Sequence, residues 1–309
     1  MATYAPALRN GFVWDDTALI LRDPLIRSWQ LIPEGFNHYL FVDATASDFY
    51  RPLQRLTYTI EYALFTVRPG FYHFTNIALH AAAAVALLFF SEALLAAFGM
   101  DPRKSWWIAL IAASIWAIHP VHSAAVVYVS GRADPLAAIF GFAGCYLGLR
   151  GLQEKPRRAL LFAIGAGFAF LLAAFSKETG LIFPLLMLVL AGLLRKRTAA
   201  IQFAVVALFV AAVYLSLRLP AEHDSPPQLG SPTPLSMRPI TVARAVAEYT
   251  GLILLPINLH MDRSVQRLSV SHGVSAAAWR ELQTLRGFSL IGVVVYLAIR
   301  RRKRDPVIF

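Results

Sequence analysis

Two adjacent carboxylates, Asp15 and Asp16, close the stretch Asn10-Gly11-Phe12-Val13-Trp14-Asp15-Asp16, just past an apolar chain start. A carboxylate at the edge of an apolar bundle can act as a general base, bind a metal or cap a helix. Further ionisable and polar groups recur in short motifs. His73, Asn76 and His80 stand at i, i+3, i+7 and so share one helical face, where they can bond between helices or meet a substrate. His119 and His122, in His119-Pro120-Val121-His122, are spaced as a metal pair. Two histidines fall short of the three or four ligands a zinc site needs, so the pair reads as the lining of a polar pocket. Arg132, in Gly131-Arg132-Ala133-Asp134-Pro135, carries a permanent charge on a fork that matches phosphate oxygens. Asp134, just before Pro135, also suits a helix start. Lys177 and Glu178, in Ser176-Lys177-Glu178-Thr179-Gly180, can pair with each other, or Lys177 can serve as a second cation for a phosphate.

A carboxylate near cations that hold a phosphate is the minimum kit for sugar transfer from a polyprenyl phosphate. The base takes a proton from the acceptor hydroxyl, and the cations stabilise charge on the departing phosphate. Asp15 and Asp16 are the candidate bases. Asp15 is preferred because the carboxylate next to Trp14 is expected to be the better buried, and burial raises a carboxyl pKa toward a usable value. The candidate substrate-binding residues are Arg51, His73, Asn76, His80, His119, His122, Arg132, Lys177 and Glu178. No metal site is assigned and no cofactor is certain, although a divalent metal is compatible with the chemistry.

These groups must be positioned by membrane-crossing helices. The 309-residue chain is 57% hydrophobic and 15% charged, with mean hydropathy +0.55, where globular domains carry about 25% charged residues. The expected fold is all-α: a polytopic transmembrane helix bundle of about seven spans plus a re-entrant or interfacial helix. Apolar segments run at 77–98, 106–118, 135–149, 159–175, 181–194, 200–219 and 288–299, with a weaker one at 243–259 that contains Arg244, Glu248 and Pro256. The net charge of +11 gathers in clusters at Arg103-Lys104, Lys155 with Arg157-Arg158, Arg195-Lys196-Arg197 and Arg300 to Arg304. That is the positive-inside pattern and not a stripe that tracks nucleic acid. With these clusters in the cytoplasm, an even number of crossings must separate Arg197 from Arg300, so 243–259 reads as re-entrant or interfacial. The acidic pair, the histidines and Lys177-Glu178 then fall on one outer face.

The whole of 1–309 reads as a single transmembrane domain. Residues 10–76 form an outer loop, 77–219 the main bundle, 220–286 an outer loop with the re-entrant helix, and 287–309 the last span and basic tail. The proline-rich run Pro220 to Pro239 reads as extended. Met1 to Leu8 reads like the last turns of a span. Cys145, the only cysteine, sits in an apolar run and excludes an intramolecular disulfide.

Gly11 to Asp16, Tyr50-Arg51-Pro52-Leu53, Tyr72-His73 with Asn76 and His80, His119 to His122, Gly131 to Asp134 and Ser176-Lys177-Glu178, taken in this order, resemble the transmembrane and tetratricopeptide-repeat O-mannosyltransferases and their bacterial relatives of the GT-C class. The resemblance covers roughly 10–180 well and the remainder loosely. It implies a GT-C-like fold, a catalytic carboxylate from the acidic pair in the first outer loop, and Arg132 and Lys177 near the lipid phosphate. It further implies transfer of a mannose-like sugar to a hydroxyl of a protein or glycan acceptor, at the extracytoplasmic face of a membrane such as a bacterial inner membrane. The chain departs from the family at the acidic residue expected two places after the second histidine, where Ala124 stands, and the stretch 1–309 is expected to hold neither the family's first span nor the repeats that follow its membrane part. Two other readings share many of these features: a transporter or flippase of lipid-linked sugar, and a non-catalytic membrane scaffold.

Overall fold

The computed structural model describes residues 2–42, 49–223, 234–257, 259 and 274–304, and these are helical with no strand among them. The chain forms two compact units, 1–229 and 230–309. In the first, short turns lead to α1 (Ile32–Asn37), α2 (Pro52–Phe65), α3 (Pro69–Ala97), α4 (Pro102–Ile118), α5 (Ser123–Val127), α6 (Ala133–Gly151), α7 (Pro156–Ser176), α8 (Ile182–Leu193) and α9 (Arg197–His223). Prolines open α2, α3, α4 and α7, where a missing N–H leaves no bond unmade and the fixed φ suits the first helical turn.

Among the described residues three helices are long and apolar enough to cross a membrane: α3, α7 and the 197–221 part of α9. A fourth crossing arises if α4 and the 120–127 segment are one span broken at a 49° bend. The break falls where it should, because Pro120 disfavours helical geometry at His119, whose ψ of 128° is extended. On α7 and α9 large apolar side chains face outward, among them Leu161 and Leu208 at 65% and 72% exposed. Such stripes on membrane-length helices are lipid-facing surfaces.

The helices α3–α4, α6–α7 and α8–α9 pack as antiparallel neighbours, and α3 also packs on α6. Chain reversals at 98–101, 152–155 and 194–196 therefore share one end of the bundle with the basic clusters at 103–104, 155–158 and 195–197. The opposite end collects 10–23, 49–55, 119–134 and 176–181. Close approach within the bundle rests on small residues, as expected where lipid supplies no hydrophobic drive between helices. Gly144 of α6 lies under Phe170 of α7: a Cβ there would stand 2.5 Å from the Phe170 ring, which is fully buried. Gly144→Ala is expected to destabilise the bundle by about 1–3 kcal/mol through overpacking, read as a lower midpoint of unfolding in mixed micelles. An unchanged midpoint would mean that α6 and α7 pack less closely than this.

The described residues of 10–76 are themselves folded. They contain α1, α2 and the first turns of α3, held by Arg55. Its guanidinium pairs with Asp23 at 3.2 Å and donates to the carbonyls of Gly35, Tyr39 and Leu40, with both charged side chains 3% exposed. The proline-rich run departs from its expected extended form at both ends. Helix α9 continues through Pro220 to His223, and α10 starts at Arg238 with Pro239 in its first turn. A proline close to either end of a helix removes few backbone hydrogen bonds, so the helices extend into the run. The middle of the run lies outside the described residues.

In the second unit α10 (Arg238–Leu254) packs against α11 (Val274–Arg304). Arg244 donates to Thr284 Oγ1 at 2.7 Å and to Glu281 at 3.0 Å. Arg244, one of the charges expected to keep 243–259 from spanning, is thus used between two helices.

Candidate active site

The acidic pair sits in a tight turn. Trp14 has φ 49°, a left-handed conformation that is unusual for a bulky side chain and costs on the order of 1–3 kcal/mol. The Asp16 and Thr17 amides close the turn onto the Val13 and Trp14 carbonyls, both at 3.0 Å. This geometry parts the two carboxylates. Asp16 is fully buried, and accepts from the Ser130 amide at 2.8 Å and the Val13 amide at 3.3 Å. Asp15 is exposed. The expectation that Asp15 is the better buried is therefore reversed, because the turn directs Trp14 and Asp15 outward and Asp16 into the fold. Asp16 does not cap the following helical turn at Thr17–Arg22; its side chain instead ties the loop to the 129–132 turn.

Electrostatics separates them further. Burial pushes both carboxyls above the usual range. For Asp15 the Arg51 charge and a hydrogen bond from Tyr128 pull the pKa partly back, whereas for Asp16 the restoring groups are chiefly the backbone amides of Ser130 and Val13. The Tyr128 hydroxyl also accepts from the Asp15 amide at 3.0 Å. Asp15 is thus a surface carboxylate with a raised pKa and a nearby cation. Asp16 is a carboxylate consumed by backbone hydrogen bonds.

The cations divide in the same way. Arg132 is fully buried and its guanidinium is spent within the fold. It pairs with Glu61 and donates to Asn76 Oδ1 at 2.9 Å, the Thr57 hydroxyl at 3.1 Å and the Tyr72 carbonyl at 3.1 Å, and it lies 4.5 Å over the Tyr58 ring. In this arrangement Arg132 positions α2, α3 and α6 and presents no fork to an incoming phosphate. Asn76 belongs to the same cluster, donating to the Tyr128 carbonyl at 2.8 Å. His73, 1% exposed, is buried near Asp16.

Arg51 and Lys177 lie nearer the surface. Arg51 stacks on Phe49 at 4.2 Å and gives its Nε–H to Glu178 at 3.1 Å, while the other Glu178 oxygen takes the Tyr50 amide at 3.0 Å. Lys177 pairs with Asp134, in the first turn of α6, at 2.5 Å. Lys177 and Glu178 therefore pair with distant partners and not with each other. The turn that carries them packs directly on α7: a Cβ at Gly180 would stand 2.3 Å from the Ala173 backbone. Glu178→Ala removes the group that fixes both Tyr50 and Arg51. If Arg51 holds the phosphate of a sugar donor, the change is expected to lower kcat/KM for that donor about tenfold through loss of Arg51 positioning. Unchanged kcat/KM in the folded variant would free Arg51 and Glu178 from that role.

His80, His119 and His122 form a third cluster with aromatic neighbours. The His80 ring stacks on Trp116 at 4.9 Å, meets Tyr4 edge-on at 5.4 Å and hydrogen-bonds the Ala117 carbonyl at 2.8 Å. His122 lies 4.3 Å from the Trp116 ring, and His119 Nδ1 accepts the Val121 amide. Among the described residues no three His, Cys, Asp or Glu side chains converge as a metal site.

Sequence reasoning left out Glu61, Tyr128, Asp23 and Arg55. The signal for Arg55 and Glu61 was present, since charges inside a half-apolar helix at a membrane edge need partners. Tyr128 carries no such signal.

Several proteins of known name are similar to the chain. Protein O-mannosyl-transferase TMTC1 of Mus musculus is 28% identical over 191 residues, 58% of this chain and 19% of the relative. Protein O-mannosyl-transferase TMTC3 of Mus musculus is 34% identical over 143 residues, 45% of this chain and 15% of the relative. Protein O-mannosyl-transferase F38B6.6 of Caenorhabditis elegans is 26% identical over 277 residues, 86% of this chain and 38% of the relative. The chain resembles the protein O-mannosyl-transferases. It spans less than two fifths of the length of each of these three relatives. No family model matches the chain, and no solved structure matches it.

Proposed function

We propose that the chain is the membrane part of a glycosyltransferase that moves a mannose-like sugar from a polyprenyl-phosphate donor to a hydroxyl of a protein acceptor. The observation that carries this reading is the exposed Asp15, with its raised pKa, at the bundle end that also bears Arg51 and Lys177. The names of the similar proteins support the transfer of mannose. In the proposed reaction Asp15 takes the proton of the acceptor hydroxyl. The hydroxyl oxygen bonds to the anomeric carbon, the bond from that carbon to the phosphate oxygen breaks, and the polyprenyl phosphate departs with its charge held by Arg51 and Lys177. The pairing of Arg51 leaves most of its donors available, since Glu178 takes only the Nε–H. His80, His119 and His122 are proposed to shape the adjoining acceptor or sugar pocket.

The reading includes a GT-C-like bundle in which α6, α8 and part of α11 add spans to the 3 or 4 counted by length and composition, toward about seven. It places the basic reversals in the cytoplasm and the Asp15 end on the extracytoplasmic face. The test is transfer of labelled mannose from polyprenyl-phosphate mannose to a hydroxyl-bearing peptide in membranes containing the protein, compared with matched membranes that lack it. Transfer that depends on the protein supports the reading. Movement of the lipid-linked sugar across vesicles without transfer would favour a flippase.

A further inference from the structure

At the basic end of the first unit a cleft of about 420 Å³ opens where α6, the start of α7 and the start of α9 meet, far in the chain from the acidic pair. Its lining includes Gly148, Gly151, Glu154, Arg195, Lys196 and Arg197. Among the described residues none of these three cations forms an ion pair, and the carboxylate in the lining, Glu154, faces Arg158 at 3.8 Å. The cleft also has an apolar side that includes the half-buried Leu152 and Ala199.

Arg195 supplies a second observation. Helix α8 ends with the Arg195 amide on the Gly192 carbonyl and the Lys196 amide on the Ala191 carbonyl, both at 3.0 Å, which is the Schellman closure. Its left-handed position belongs by default to glycine, yet Arg195 occupies it with φ 57°. A charge count for topology needs basic residues somewhere in this reversal. It needs neither an arginine in the one strained position nor a cleft beside it.

We propose that this cleft binds a phosphate-bearing anion through Arg195, Lys196 and Arg197, with its apolar side available to an acyl chain when the anion is a lipid headgroup. Arginine forks and a lysine ammonium are the donors that phosphate oxygens accept most readily, and basic pockets between membrane helices are suited to anionic headgroups. The inference does not rest on the proposed transferase activity.

The test is native mass spectrometry of the full chain in detergent, titrated with phosphatidylglycerol or phosphatidylcholine, with inorganic phosphate as competitor. Two variants act by different routes. Arg195→Gly removes one cation and relieves the backbone, so the variant is expected to unfold no more easily than wild type. Ala159→Phe fills the cleft and keeps every charge, Ala159 being part of the lining. Arg195→Gly is expected to weaken phosphatidylglycerol binding about tenfold, the loss expected for one charge-assisted contact, and Ala159→Phe to weaken it at least as much by occupying the cleft. Retained lipid that inorganic phosphate does not displace identifies a headgroup. Displacement by inorganic phosphate identifies the phosphate itself as the ligand chemistry. Equal binding of phosphatidylglycerol by wild type and both variants, or equal binding of phosphatidylcholine by wild type, would overturn the proposal.

Discussion

Asp15→Asn is expected to lower sugar transfer by about 10²- to 10⁴-fold, the range for loss of a general base, with donor binding retained. Asparagine keeps the shape of the side chain and removes its basicity. The site should survive the change because Asp15 is exposed and its structural bond, to the Tyr128 hydroxyl, is made by its backbone amide. The pH dependence follows from the same group. A base works when ionised, so kcat/KM falls as pH drops through its pKa. Burial raises the Asp15 pKa above its ordinary value, so the acid limb is expected at higher pH than for a free aspartate and should vanish in Asp15→Asn. Arg51 pulls that pKa down, and Arg51→Gln should move the limb further upward. Asp16→Asn serves as the contrast. It should weaken the tie to Ser130 and lower stability, with the residual folded protein still showing the acid limb. Full transfer by Asp15→Asn, together with loss of transfer in folded Asp16→Asn, would assign the chemistry to the buried carboxylate.

Glu61→Leu is expected to destabilise the first unit by about 3–5 kcal/mol, because it leaves Arg132 charged and uncompensated in a fully buried position. Arg132→Leu alone should be damaging for the converse reason: it strands Glu61 and removes the donors to Asn76, Thr57 and Tyr72. The double variant Glu61→Leu/Arg132→Leu should recover a large part of the loss, since replacing both partners of a buried pair with apolar groups is often close to neutral. Unfolding midpoints of the four proteins in mixed micelles complete the cycle. A Glu61→Leu protein of wild-type stability with a raised donor KM would show that Arg132 is reached by the donor after all.

The helices were legible in the chain because their causes are local. Apolar runs of sufficient length, prolines at first helical positions and the break at His119-Pro120 act over a few residues, and the structure places α3, α4, α6, α7, α8 and α9 over the corresponding segments. The gathering of Asp15, Arg51, Lys177 and Glu178 at one end was also legible, since alternation of antiparallel helices carries it. What each of those residues does was not. Asp15 and Asp16 are chemically identical neighbours, and only a turn strained at Trp14 makes one exposed and the other buried. Arg132 and Arg51 are likewise the same residue type in similar-looking motifs.

Residue chemistry and helical periodicity thus determined which groups exist, which helices carry them and which end they reach. The assignment of Arg132 to Glu61, of Arg51 to Glu178 and of Asp16 to Ser130 joins positions 71, 127 and 114 residues apart. An arginine buried with a carboxylate and three more acceptors is a structural element, whereas Arg51, whose ion pair with Glu178 uses its Nε–H, is the one proposed to meet a phosphate. Burial and partnership arise from packing between helices, which no local stretch of sequence encodes.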